Sequence, residues 1–239
     1  MLLNEINEKV ENKLLAIYPN GVYNGDMGKK VIFLFLFFIM TFSDLVARAI
    51  SYPGAWTLML KTNQQFSRLH YHYSPKISHS VGLVLEKDKP ENTMLYHLQN
   101  NILLLRHNTK KSQRNVYLKI QAGWAEKLSR KAESYRLSLD GDWESRRHFV
   151  SYHVNANSRG YLKHPYLDQQ IRVGVAPYVA DYGSFHTWVF VEINHYPSKK
   201  RGEDHLLYRL VFRFFKGLTL LEVGIDRDNK GMLSVMRRL

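Results

Sequence analysis

Val116-Tyr117-Leu118-Lys119-Ile120-Gln121-Ala122-Gly123-Trp124 is apolar at every second position. Val116, Leu118, Ile120, Ala122 and Trp124 fall on one side, and Tyr117, Lys119 and Gln121 on the other. Side chains of a strand point alternately to its two faces, so this period of two reads as a β-strand. The same alternation recurs along the chain. Leu69, Tyr71 and Tyr73 oppose Arg68, His70 and His72, while Tyr135, Leu137, Leu139 and Trp143 oppose Arg136, Ser138, Asp140 and Asp142. Ile171, Val173 and Val175 oppose Gln170, Arg172 and Gly174. Tyr208, Leu210, Phe212 and Phe214 oppose Arg209 and Arg213, and Leu221, Val223 and Ile225 oppose Glu222, Gly224 and Asp226.

No segment of 50–239 sustains a helical apolar spacing. The pattern predicts twelve strands, near 53–62, 66–74, 77–86, 94–106, 114–124, 133–142, 146–155, 169–179, 185–195, 205–215, 218–226 and 231–239. Short connections such as Ser74-Pro75-Lys76, Lys216-Gly217 and Asp228-Asn229-Lys230-Gly231 make neighbouring strands antiparallel. The longest gap, 156–168, holds Asn157, Ser158, Gly160 and Pro165 and reads as an exposed loop.

Alternation fits two architectures. A soluble sandwich or barrel, such as a periplasmic binding protein, turns its apolar face inward. A transmembrane barrel turns it outward to lipid. Three features favour the second. The polar face is crowded with Arg, Lys, His, Asp and Glu, which can pair across a packed lumen. Aromatic residues gather at strand ends, as in membrane-interface girdles: Tyr71, Tyr73, Trp124, Trp143, Tyr178, Trp188 and Phe214. The strand count is even and the last strand runs to Leu239, so the sheet can close and leave no unpaired backbone in lipid. The expected fold is all-β, a closed antiparallel up-and-down transmembrane β-barrel of about twelve strands.

The N-terminal segment supplies a location. Met27-Gly28-Lys29-Lys30 precedes an apolar run over 31–42, and Ala47-Arg48-Ala49 follows it. A basic start, an apolar stretch and a small-x-small site together read as a secretory signal peptide over 27–49, cleaved after Ala49 with Ala47 as its partner. The run is shorter than the roughly 20 residues a transmembrane helix needs. Residues 1–26 then read as an upstream extension of the reading frame, and 50–239 as the outer-membrane barrel of a Gram-negative bacterium.

The formal net charge is +13. Five basic residues (Lys9, Lys13, Lys29, Lys30, Arg48) and five acidic ones (Glu5, Glu8, Glu11, Asp26, Asp44) balance before residue 50, so the surplus belongs to 50–239. That surplus favours anionic partners such as lipopolysaccharide, with Lys199-Lys200-Arg201 in an outward loop as one contact. No nucleic-acid signature is present, and the basic residues form no single stripe. There are no cysteines, hence no disulfide framework and no thiolate chemistry. With both termini on the periplasmic side, the outward loops are 87–93, 125–132, 156–168 and 196–204. The inward set, 75–76, 143–145, 180–184 and 216–217, is shorter, with the 107–113 turn as the exception.

Several segments resemble a family of small, largely uncharacterised outer-membrane β-barrel proteins of proteobacteria. They are Tyr52-Pro53-Gly54-Ala55-Trp56-Thr57, His72-Tyr73-Ser74-Pro75, Ser112-Gln113 with Tyr117-Leu118-Lys119, 172–178, 183–188, and 213–217 with 219–222. The resemblance covers essentially all of 50–239. It implies an outer-membrane barrel, with membrane lipid and the barrel assembly machinery as partners, and it carries no established activity. The chain departs from the pattern at Arg238-Leu239, where such barrels usually finish on an aromatic residue.

The polar face supplies the candidate site. Arg68, Lys119, Arg136, Arg147, Arg172, Arg209 and Arg213 oppose Asp140, Asp142, Glu192, Glu222 and Asp226 in an expected lumen charge network. In so narrow an interior, opposed charges either close the path or leave a thin anion-favouring one for small solutes. His70 and His72 point the same way and are candidate metal ligands if His153, His186 or Glu192 supplies a third. Ser151 and His153 share a strand face, and Asp140 or Asp142 could orient the histidine, as a lipid-modifying barrel enzyme requires. Polar filling of the lumen is the simpler reading of both sets, so no catalytic residue, metal or cofactor is expected. Gly141, Gly174 and Gly224 read as places where the wall bends.

Overall fold

The computed structural model describes residues 52–128, 130–162, 164–181, 183–196 and 205–239. The expected signal segment with Ala47 and Ala49, and the Lys199-Lys200-Arg201 loop, lie outside the described residues. Twelve strands follow in order: β1 Ala55–Thr62, β2 Phe66–Lys76, β3 His79–Asp88, β4 Thr93–Asn108, β5 Ser112–Lys127 and β6 Arg130–Ser145. The rest are β7 His148–Arg159, β8 Tyr166–Val175, β9 His186–Tyr196, β10 His205–Lys216, β11 Thr219–Asp226 and β12 Gly231–Arg238. Each pairs antiparallel with its sequence neighbours, and β12 pairs with β1, so the sheet is a closed up-and-down barrel as expected. Closure extends past β12, where Leu239 and Trp56 exchange backbone hydrogen bonds of 2.9 and 3.2 Å.

The register explains which side chains face inward. Leu118 faces Ile102 on β4 and Leu139 on β6, and Leu139 faces Val154 on β7, so one apolar row crosses four strands. The neighbouring row puts Lys119 beside Asn101 and Ser138. The apolar rows are the outer ones: Leu83 is 61% exposed and Leu98 57%, whereas Glu192 is 0% exposed and Arg209 2%. Aromatic pairs stand on the outer surface at opposite ends of the wall, Trp56 stacked on Tyr71 and Tyr96 on Trp124. Pro75 lacks a backbone donor and sits where the β2–β3 register shifts, between Tyr73 and Lys76.

The strands differ from the sequence expectation mainly at their ends. β5 and β6 run through the segment read as a 125–132 loop, leaving only residues 128–129 as the turn. The ladder continues with Glu126 facing Lys131 and Lys127 facing Arg130, so backbone pairing outlasts the apolar pattern. The 156–168 loop shrinks to 160–165 as β7 reaches Arg159 and β8 starts at Tyr166. The long connection at the expected periplasmic end is 176–185, not 107–113, so loop length alone does not orient the barrel. Trp188 is a further correction. It faces inward and packs with Phe149 against buried Phe190, Val211 and Met232. Gly174 does more than bend the wall, because a Cβ there would collide with the Phe190 ring.

Candidate functional site

Two ionic clusters occupy the lumen. The first centres on Glu86, near the end of β3 and 3% exposed. Arg68 on β2 donates through Nε at 2.6 Å. Arg136 on β6 donates through Nη1 and Nη2 at 3.0 and 2.9 Å. Its Nε is held by Asn157 Oδ1 at 2.6 Å. One pleat away, Asp88 accepts from Arg159 Nη2 on β7 at 2.8 Å. β3 is adjacent to neither β6 nor β7 in the ring, so both bridges cross the interior.

The second cluster centres on Glu192 and Glu222. Arg172 on β8 donates to Glu192 Oε2 through Nε at 3.1 Å and Nη2 at 2.5 Å. Its Nη1 reaches Glu222 Oε1 on β11 at 2.7 Å. Arg209 Nη1 and Asn194 Nδ2 both donate to Glu192 Oε1, at 2.7 and 2.8 Å. Arg213 Nε donates to Glu222 Oε1 at 2.8 Å, and its guanidinium lies 4.6 Å from the Phe190 ring centroid. Ionised groups buried this deeply persist only when each is paired and hydrogen-bonded, and both clusters meet that condition at their carboxylates.

A third group joins Lys119, Asp140 and His153. Asp140 bonds to Lys119 Nζ and to His153 Nδ1. Ser151 is two residues from His153 on β7 and opposite Asp142, and it makes no hydrogen bond to His153. An acid and a histidine thus meet, but the serine stands outside their contact, and Lys119 shares the acid. His70 and His72 come together with ring centroids 4.6 Å apart. The third ligands expected for them are engaged elsewhere: His153 by Asp140, Glu192 by two arginines, and His186 beside the Phe215 ring. Among the described residues no three His, Cys, Asp or Glu form a metal-ligand group.

Eleven of the twelve residues expected in the charge network sit on the inner face. Arg147 does not; it lies exposed in the β6–β7 turn. Asp226 accepts backbone hydrogen bonds from Asp228 and Lys230 and so shapes the β11–β12 turn. Sequence reading missed Glu86, Asp88 and Arg159. The phase of the alternation carries the signal: Glu86 and Asp88 share the parity of Val84, and Arg159 that of His153 and Asn157.

Between the clusters lies a cavity of about 680 Å³. Its lining is balanced in charge: Lys61, Arg68, Lys119, Arg136, Arg159, Arg172 and Arg213 against Glu86, Asp88, Glu91, Asp140, Asp142, Asp168 and Glu222. Lys61 has no ion-pair partner among the described residues and lies 6.0 Å from the Phe66 ring.

No protein-family model matches the chain, and no curated protein matches it. Among solved structures it is similar to a KdgM porin, with 6% identity and a TM-score of 0.45 over 77% of this chain and 97% of that one. A second structure of that porin, in complex with disordered oligogalacturonate, is similar at 7% identity and a TM-score of 0.45, covering 77% and 97%. The outer membrane protein OprD from Pseudomonas aeruginosa is similar at 12% identity and a TM-score of 0.42, covering 75% of this chain and 62% of that one. The closed ring of paired strands in this chain defines its fold.

Proposed function

We propose that residues 50–239 span the outer membrane of a Gram-negative bacterium and form a narrow channel for small polar solutes. One observation carries the reading: the faces are inverted. Buried arginine–carboxylate pairs fill the interior while leucines such as Leu83 and Leu98 cover the outside. In water the outer rows would form an exposed apolar surface far larger than a soluble monomer carries. In lipid they match the hydrocarbon, and the closed ladder leaves no unpaired backbone there.

The segment 27–49 then serves as the cleaved leader, and 1–26 as an upstream extension. The outer rows would contact membrane lipid and lipopolysaccharide, and the assembly machinery would insert the barrel. Membership of the proteobacterial family that the sequence resembles belongs to the same proposal. The balanced lining weakens the expected anion preference. Selectivity falls to individual sites, with Lys61 the cavity-lining cation open to a solute carboxylate. Planar-bilayer recording tests this: small, discrete steps with weak ion selectivity are expected, and a silent bilayer at high protein load would remove the channel.

A further inference from the structure

Three consecutive strands of the ring, β12, β1 and β2, bring two thioethers and two imidazoles to one patch of the inner wall. Met236 lies opposite Met59, and Met59 lies opposite His70. Residues directly opposite in antiparallel strands have Cβ atoms about 4.5–5.5 Å apart, so the three side chains form a contiguous row. His72 is the next inward residue of β2, and its ring lies 4.6 Å from that of His70. His72 is fully buried, with His70 and Met236 at 8% and 6% exposure.

The imidazoles lack the partners that buried polar groups require. His70 Nε2 and both ring nitrogens of His72 have no hydrogen-bond partner. Buried polar atoms are nearly always satisfied, and three orphans in one place call for a ligand. Gly82 stands opposite His72, and a Cβ there would collide with the Tyr71 carbonyl oxygen and with His72 Cβ and Cα, so the two strands approach closely here.

We propose that Met59, His70, His72 and Met236 bind a soft monovalent cation, Cu(I). Thioether and imidazole together suit Cu(I) among biological metals, whereas hard divalent ions seek carboxylates. None of the four donors carries a charge. Arg68 precedes His70 by two residues on the same inner face, and Arg238 lies opposite Thr57, which itself faces His72. A monovalent ion adds the least charge to a patch so flanked. Met59 and Met236 line the cavity, so the ion arrives from the lumen, meets the thioethers first and passes to the buried imidazoles behind.

The test uses the full-length barrel in detergent, stripped with chelator and titrated anaerobically with Cu(I) against bathocuproine disulfonate. X-ray absorption then identifies the donors. One Cu(I) per chain with mixed sulfur and nitrogen scattering is expected. Met59→Leu and Met236→Leu preserve core volume and should keep the folded gel mobility. Each should nonetheless weaken binding at least tenfold and reduce the sulfur scattering. His72→Gln should abolish retention in the competition. The site is overturned if the native protein retains no Cu(I), if both leucine variants bind as tightly as the native protein, or if the scattering contains only nitrogen and oxygen. Conductance is not used as a readout, so the result is independent of whether the barrel conducts.

Discussion

The two ionic clusters are built from the same residue types but do different mechanical work. At Glu86 and Asp88 the partners Arg136 and Arg159 come from β6 and β7 on another part of the ring, so these pairs act as struts across the lumen, and Arg68 on the flanking β2 adds one contact along the wall. At Glu192 most partners come from the flanking strands β8 and β10, and at Glu222 one comes from the adjacent β10. Only Arg172–Glu222 spans a larger gap there, and an aromatic wall of Phe149, Trp188 and Phe190 backs the group. One cluster spans the interior; the other lines a wall. The contrast teaches that lumen charge has two separable roles, bracing and lining.

The largest effect should come from the struts. Glu86→Gln leaves Arg136, only 6% exposed, without its carboxylate. Breaking a buried pair from one side costs about 3–5 kcal/mol, which denaturant unfolding in detergent would register. Glu222→Gln should cost less, about 2 kcal/mol, because Arg172 keeps Glu192 and Arg213 is partly solvated. Equal losses at the two sites would break the distinction between strut and lining.

The outer face gives the next test. Leu83→Arg places a charge on the lipid side of β3, and at mid-bilayer such a change costs about 2–4 kcal/mol of barrel stability in lipid. Stability unchanged by that substitution would argue for a soluble barrel. Gly174→Ala pushes on the Phe190 ring and should cost about 1–3 kcal/mol by overpacking, seen in the same unfolding assay. The smallest effect belongs to the rim. Lys127→Ala removes a 2.6 Å pair with Glu91 at the barrel rim, where the lysine side chain is 36% exposed, for a loss of about 1 kcal/mol or less.

The alternation in 116–124 and its repeats made the strand number and antiparallel order legible, because period two survives wherever one face meets an apolar medium. Ladder ends were not legible. Glu126-Lys127 and Arg130-Lys131 look like loop residues, yet backbone pairing keeps them in the sheet. That error hid functional residues: Asp88 and Arg159 both fell in segments read as loops, and they bond to each other. Trp188 shows a different failure. It shares the inward parity of Glu192, but its type suggested a membrane girdle and overrode the phase. Which lumen charges pair depends on where the ring closes, and no local pattern carries that.

The inverted barrel is tested most directly by electrophoretic mobility of protein from a detergent-extracted outer-membrane fraction, boiled against unboiled. A faster unboiled band in that fraction is expected, the mark of a closed barrel that resists unfolding in detergent. Protein recovered instead from the soluble periplasm, with identical mobility in both lanes, would contradict it.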